Sequence, residues 1–388
     1  MTQQHRAPGG RVLLRPLTLV AAVSAAVAAT VLPAGTAAAA YSSLGTVSST
    51  ATVPEAVELS GLVASPTSPG WYWTHSDVPK ATDAPAACSG LTGGALSDCQ
   101  EVQRARLWAL RLDPVTHRVV EARAFSLSDP AWALDPLLAQ NNDWEDISVA
   151  PTREGGRPGL LIGATGNADR NPVLDAEGRN ITCATRRLIE LEEPDLSDPA
   201  ATTWTPTAVF DLANPVGLGG LKTCNFESLT VGADGAGRPT AYLVSRTQRK
   251  LFARSLSVDS GRAPATPVAA AGSGEPHQPQ LSYVGAVRDA AGMQLTAADT
   301  NGRSVALLAR KTATAPCRVL TWPVTAAGIG ATLTGTSPVV SPVGCNNLAE
   351  GLAYATDAAG ARTATDDLIA VSDTGGPSTF STWYFPSS

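Results

Sequence analysis

One unit recurs along this chain, and a recurring unit constrains a fold more tightly than composition does. Three copies are plain: DWEDISVAP at residues 143–151, CNFESLTVG at 224–232 and CNNLAEGLAY at 345–354. Each sets a Glu two residues ahead of the first aliphatic position of a short apolar run: Glu145 before Ile147, Glu227 before Leu229 and Glu350 before Leu352. A degenerate copy, VELSGLVAS, has Ser60 in the place of the Glu and Glu58 just upstream. Another, YVGAVRDAAG from Tyr283, keeps the run and loses the acid. After each copy come a Gly/Asp turn, a second run, a polar loop and a third run, as in GWYWTHSD and RARLWALRLD after the Ser60 copy. For the Tyr283 copy those runs are MQLTAADTNG and SVALLARK.

Short apolar or alternating runs bounded by Gly, Pro, Asp and Asn, with no strong amphipathic helix, describe β-strands. A unit of three or four such strands repeated five times is a propeller blade. The chain is therefore predicted to be all-β, a five-bladed β-propeller, with six or seven blades as alternatives. The Ala/Pro-rich stretch at 261–280 is where a sixth blade would hide, but it reads better as a surface loop. Residues 41–53, rich in Ser, Thr and Val, are suited to add an outer strand to the last blade, which would leave no long exposed edge.

The first forty residues have the layout of a secretory signal: Arg6, Arg11 and Arg15, an apolar run from Leu17 to Leu32, then a small-residue site at Ala38, Ala39 and Ala40. The expected organisation is a signal peptide over 1–40 and one propeller over 41–388, secreted and without a stable membrane anchor. The whole chain has 28 basic and 34 acidic residues. The signal holds three of the arginines and no acid, so the mature charge is −9. Nucleic acid needs a basic stripe and is not an expected partner. All six cysteines follow the signal, so disulfides are expected: Cys88 with Cys99, Cys183 with Cys224, Cys317 with Cys345.

In a propeller the leading residue of each innermost strand and the loop after each second strand share one end of the central channel. That end is expected to gather acids and amides: Glu58, Asp143, Glu145, Asp146, Asn225, Glu227, Asn347 and Glu350 from the leading positions. His75, Asp77, Asn167, Asp169, Arg170, Arg246, Asp299, Asn301 and Asp373 come from the second-strand loops. Carboxylates held close need a cation or a shared proton, and oxygen donors suit Ca²⁺. Glu145, Glu227, Glu350, Asp143, Asp299 and Asp373 are the candidate ligands. The other reading of the repeated Glu is architectural: each caps its own blade. No nucleophile elbow, dinucleotide fingerprint or phosphate loop occurs.

On Ser60-Gly61-Leu62, Asp143 to Ile147 and Glu350-Gly351-Leu352, the chain resembles a group of secreted bacterial β-propeller proteins with SGL, DWEDI and EGL motifs. That group is similar to the phytase-like and esterase-like propellers and, more distantly, to the gluconolactonase and paraoxonase propellers. The last two hold Ca²⁺ on the channel axis, with a Glu just ahead of an innermost strand among the ligands. The resemblance implies that role for Glu350, and by position for Glu145 and Glu227. The sequence departs from the group at GATGNADRN, where a GDIGDN-like run is usual, and at THSDVP, usually closer to HNDSGD.

Two functions follow as expectations. One is a secreted Ca²⁺-assisted hydrolase of a phosphoester, ester or lactone, with His75, Asp77 or Asp169 moving protons. The other is a non-catalytic extracellular propeller whose acidic face recognises a cationic or carbohydrate partner. Either way the ligand is a small molecule or polymer on the acidic face, and the chain is expected to be a monomer.

Overall fold

The computed structural model describes residues 39–41, 46–52, 59–76, 90–96, 106–128, 144–151, 157–165, 187–212, 225–256, 263–264, 281–310, 317–345, 349–357, 359, 366–373 and 379–387. Within them are five sheets.

Blade one runs outward from the axis as β2 (Leu59–Ala64), β3 (Trp71–Ser76), β4 (Leu107–Leu112) and β5 (Val119–Leu127). The two-residue β9 (Thr203–Trp204) joins its edge in parallel. Blade two is β6 (Trp144–Ala150), β7 (Gly159–Ala164), β8 (Arg187–Glu192), β10 (Pro206–Asp211) and the short β14 (Ala263–Pro264). Blade three is β11 (Phe226–Ala233), β12 (Pro239–Ser245), β13 (Lys250–Ser255) and β15 (Ser282–Ala286). Blade four is β16 (Gln294–Thr300), β17 (Ser304–Arg310), β18 (Cys317–Pro323) and β19 (Val339–Pro342). Blade five takes β20 (Ala349–Tyr354), β21 (Leu368–Asp373) and β22 (Thr379–Phe385), and its outer strand is β1 (Thr46–Thr52), antiparallel to β22 from Thr46 opposite Tyr384 to Thr52 opposite Thr379.

The apolar core is divided into five wedges, one at each blade interface, which shows that the ring closes. Trp73 and Phe125 meet Trp144 and Ile162 between blades one and two, and Leu161 and Leu188 meet Leu243 and Phe252 between two and three. Val244 and Leu251 meet Leu307 and Trp322, and Val319 and Leu308 meet Leu352 and Tyr354, at the next two seams. Ile369 and Val371 of blade five pack against Leu62, Tyr72 and Leu110 of blade one. The helix α1 (Gly328–Gly335) buries Ile329 and Leu333 at the seam of blades three and four.

The fourth unit differs from the sequence expectation by one strand. The Tyr283 segment is the outer strand of blade three, paired with β13, and QLTAADT is itself the innermost strand of blade four. The tight hairpin at Asn301-Gly302 explains the phase: Gly302 takes φ 85° and Asn301 Oδ1 accepts the N–H groups of Arg303 and Ser304. Such a turn joins adjacent antiparallel strands, so Asp299 and Asn301 lie around the first-to-second connection, not after a second strand.

Cys317 and Cys345 form a disulfide with Cα atoms 5.7 Å apart. Cys88, Cys99, Cys183 and Cys224, like residues 1–38, lie outside the described residues. Among the described residues no helix is long and apolar enough to cross a membrane.

Candidate functional site at the channel mouth

Every innermost strand carries a register shift against its second strand at its leading end. The shifts fall between Ser60 and Val63, Trp144 and Asp146, Phe226 and Ser228, Leu295 and Ala297, and Ala349 and Gly351. A bulge bends a strand and re-aims a side chain, and such bulges recur beside functional sites. The residues at the shifts are Ser60, Glu145, Glu227, Thr296 and Glu350, so the repeated Glu marks a bulge around the axis. Thr296 is the fourth member, which the sequence reading missed because that copy has no acid. The two hydroxyls are spent on the next blade: Ser60 Oγ donates to the Glu145 carbonyl at 2.6 Å and Thr296 Oγ1 to the Ala349 carbonyl at 3.1 Å.

The SGL and EGL glycines are explained by closeness at the axis. Gly61 has φ 63°, and a Cβ there would lie 2.8 Å from Ile147 N. A Cβ on Gly351 would lie 2.8 Å from the Gly61 carbonyl. Blades one, two and five converge too tightly for any side chain at these two positions.

The glutamates meet two arginines. Arg246, just beyond β12, donates its backbone N–H to the Asn225 carbonyl and accepts the Leu295 N–H on its own carbonyl, which fixes it between blades three and four. Its guanidinium hydrogen-bonds Glu227 Oε1 and lies 4.0 Å from Glu350 Oε1. Asn225 Nδ2 also donates to Glu227 Oε1, at 2.9 Å. Arg310, the last residue of β17, puts Nη2 3.7 Å from Glu350 Oε1 and donates from Nε to Gln294 Oε1 at 3.2 Å. Arg310 escaped the sequence reading because the misplaced fourth unit put the second-strand loop elsewhere.

Glu227 is buried while its partners Arg246 and Glu350 are 25% and 21% exposed, so the cluster reaches solvent. Burial drives the Glu227 pKa up, Arg246 opposes the rise, Glu350 adds to it, and the balance stands at about 7. Burial lowers the pKa of Arg246, but Glu227, Glu350 and Glu145 outweigh it and carry the value above the ordinary one. Burial and the neighbouring Arg246 pull Arg310 down.

Below the mouth the axis is closed by carboxylates of another kind. Asp146, 1% exposed, accepts the Ile147 N–H on Oδ1 at 2.9 Å and, on Oδ2, the N–H groups of Leu229 at 2.7 Å and Ala298 at 3.0 Å. One side chain thus joins blades two, three and four. Burial lifts its pKa well above the usual range; the three N–H donors restrain the rise and Asp299 adds to it. Asp299 accepts the Tyr354 N–H at 2.8 Å, tying blade four to blade five. The expectation that Asp299 sits in a second-strand loop with the other ligand candidates is therefore corrected: it is inside the ring and bonded to backbone.

His75 is sealed in the seam of blades one and two, its ring edge-on to Trp144 with centroids 5.6 Å apart. Burial pushes its pKa down to about 4, against the carbonyls of Ser76 and Asp146, so the imidazole is neutral at physiological pH. Asp77, Asp143, Asn167, Asp169, Arg170, Glu58 and Asn347 lie outside the described residues, and Asp373 is described only as the end of β21.

Of the six candidate Ca²⁺ ligands, Asp143 lies outside the described residues. Among the described residues the charge of Glu227 and Glu350 is faced by Arg246. Among the described residues no group of three His, Cys, Asp or Glu is placed to hold a metal ion.

No protein-family model matches this sequence, and no curated protein matches it. Solved structures with related architecture include an exo-β-1,3-galactanase from Clostridium thermocellum, at 10% identity and TM-score 0.41, over 84% of this chain and 58% of that one. An α-L-arabinofuranosidase from Lactobacillus brevis aligns at 13% identity and TM-score 0.41, over 86% of this chain and 92% of that one. The periplasmic gluconolactonase of Pseudomonas aeruginosa aligns at 12% identity and TM-score 0.33, over 84% of both. The propeller assignment itself stands on the strand pairing and the five interblade wedges.

Proposed function

We propose that this chain is an extracellular propeller hydrolase whose channel mouth works by proton transfer on glutamate, acting on a phosphoester, ester or lactone. The observation that carries the reading is Glu227: a buried carboxyl with a pKa of about 7, in a cluster that reaches solvent. A group that titrates near the working pH serves as both acid and base.

The geometry assigns the proton. Glu227 Oε1 accepts N–H groups from Arg246 and Asn225, so it holds no hydrogen, while Oε2 is buried with no hydrogen-bond partner. The acid proton therefore resides on Oε2. In hydrolysis a water adds to the acyl or phosphoryl centre and loses a proton to the more exposed Glu350. The bond to the leaving oxygen breaks, and that oxygen takes the proton from Glu227 once its carboxyl turns Oε2 out of its buried position toward the mouth. Exchange with solvent then restores both carboxyls. Arg246, pressed against Glu227 and Glu350, holds the two apart in charge, so that one is the acid while the other is the base.

The test is a panel of p-nitrophenyl acetate, p-nitrophenyl phosphate and a δ-lactone, assayed with the wild-type chain and Glu227→Gln. The substitution is expected to remove about 10²- to 10⁴-fold of kcat/KM on whichever member is turned over. Equal turnover by both proteins would overturn the reading. A protein that turns over none of the three but binds a cationic or carbohydrate polymer would be a binding propeller instead.

A further inference from the structure

We propose that residues 39–41 are a latch belonging to the folded domain, so that a small-residue-specific signal endopeptidase cuts the chain upstream of Ala39 and not after Ala40. The Ala38–Ala39 bond is the last one whose cleavage leaves the latch whole. The inference rests on the extracellular reading of the chain and on nothing at the channel mouth.

The run Gly35-Thr36-Ala37-Ala38-Ala39-Ala40 satisfies the small-residue rule at several bonds, because small side chains stand one and three residues before each. Contacts in the folded domain separate those bonds. Ala39 packs on the apolar wedge between blades four and five. Its carbonyl accepts the hydroxyl of Thr321, a fully buried residue of β18, at 2.7 Å. Tyr41 is buried inside the same wedge. Its backbone N–H donates to Ser341 Oγ of β19 at 2.9 Å, its hydroxyl donates to the Asp366 carbonyl at 2.8 Å, and its main chain forms an antiparallel bridge with Ser387. These residues hold blade four to blade five separately from the pairing of β1 with β22.

Hydrolysis of a peptide bond consumes one water and leaves a carboxylate on the released segment and an ammonium on the new first residue. At the Ala38–Ala39 bond that ammonium falls on a partly exposed residue, and the contacts of Ala39 and Tyr41 are kept. At the Ala40–Tyr41 bond it falls on the nitrogen that now donates to Ser341, between two buried residues. A buried ammonium is costly without an anion of its own. The acids that act on the Tyr41 ring are already engaged, Asp366 with Asn301 and Arg303, Asp367 with Tyr384 and Ser387. The same cut removes the acceptor of the buried Thr321 hydroxyl.

The test starts with the full 388-residue chain, exported from a bacterial host, and reads the first residue of the mature protein by N-terminal sequencing and intact mass. A start at Ala38 or Ala39 is expected, and any other start overturns the processing site. Chains starting at Ala39 and at Tyr41 are then released from a cleavable fusion and melted. The Tyr41 chain should melt at least about 3 °C lower. Thr321→Val should lower the melting temperature of the Ala39 chain by about 2 °C and leave the Tyr41 chain unchanged, since the contact it removes is already gone there. Equal melting of the two chains, or an equal effect of Thr321→Val in both, overturns the latch. If the Tyr41 chain does not fold, a chain starting at Ala40, which lacks Ala39 alone, replaces it in both comparisons. None of these readouts uses activity, so failure of the hydrolase reading leaves them standing. A chain that is not exported, or stays uncut, sinks the extracellular reading and the processing site together, while the melting comparison still decides the latch.

Discussion

Glu145 and Asp146 are adjacent in β6 and belong to different regions of the molecule. Glu145 stands at the bulge and acts on Arg246, in a cluster whose charges face one another across a mouth open to water. Asp146 turns into the ring and is surrounded by backbone N–H groups from three blades. Both are acids on the axis, and acidity alone does not distinguish them. Their partners do. A carboxylate saturated by main-chain donors is fixed by the fold, whereas one matched to side-chain cations in reach of solvent can exchange protons and ligands. The carboxylates with main-chain ties between blades, Asp146 and Asp299, stand outside the repeated Glu positions.

The widest separation between the two regions should appear on substitution. Asp146→Ala strands three buried N–H groups at about 1–3 kcal/mol each, so denaturant unfolding should show a loss of roughly 3–9 kcal/mol. A melting curve like that of the wild type would erase the distinction. Gly61→Ala belongs with it: left-handed backbone and a clash with Ile147 N should cost at least about 2 kcal/mol by the same measurement. At the mouth the expected pattern is reversed, with Glu227→Gln altering stability by less than about 1 kcal/mol at pH 7 while activity falls. The pH dependence sharpens this further. Glu227 has a folded pKa raised above its unfolded value, so the folded state holds the extra proton. Stability from that group is greatest at low pH and is lost as pH rises from about 4.5 to about 7. Melting temperatures recorded across pH 5–8 should decline in the wild type and flatten in Glu227→Gln. The smallest effect concerns Ca²⁺: melting should be the same in Ca²⁺ and in chelator, and a Ca²⁺-dependent rise that vanishes in Glu350→Gln would restore a metal at the mouth.

Much of the architecture was legible in the residues. The Glu-to-aliphatic spacing located the innermost strands of three blades and its degenerate Ser60 copy a fourth, residues 41–53 contain the strand that completes the fifth, and the pairing of Cys317 with Cys345 is present. The fourth blade was misphased because Thr296 stands where three of the other blades have the Glu. The Asn301-Gly302 hairpin was the signal that would have corrected it, since the same kind of short turn, at Asp234 to Gly237, joins the first two strands of blade three. Arg310 was lost with that phase. The role of Asp146 was not readable at all, because its donors are the backbones of Leu229 and Ala298, 83 and 152 residues away, and a main-chain N–H leaves no mark in a sequence.

The pairing of β1 with β22 has a consequence for how the molecule is made. Of the described strands β1 is synthesised first and β22 last, so an emerging chain displays a strand edge whose partner does not yet exist. Blade five cannot be completed by any partial chain, however many blades it already contains. The ring is thus a length check: a product cut short before Thr379 keeps an open seam, and only a chain translated through β22 can shut it.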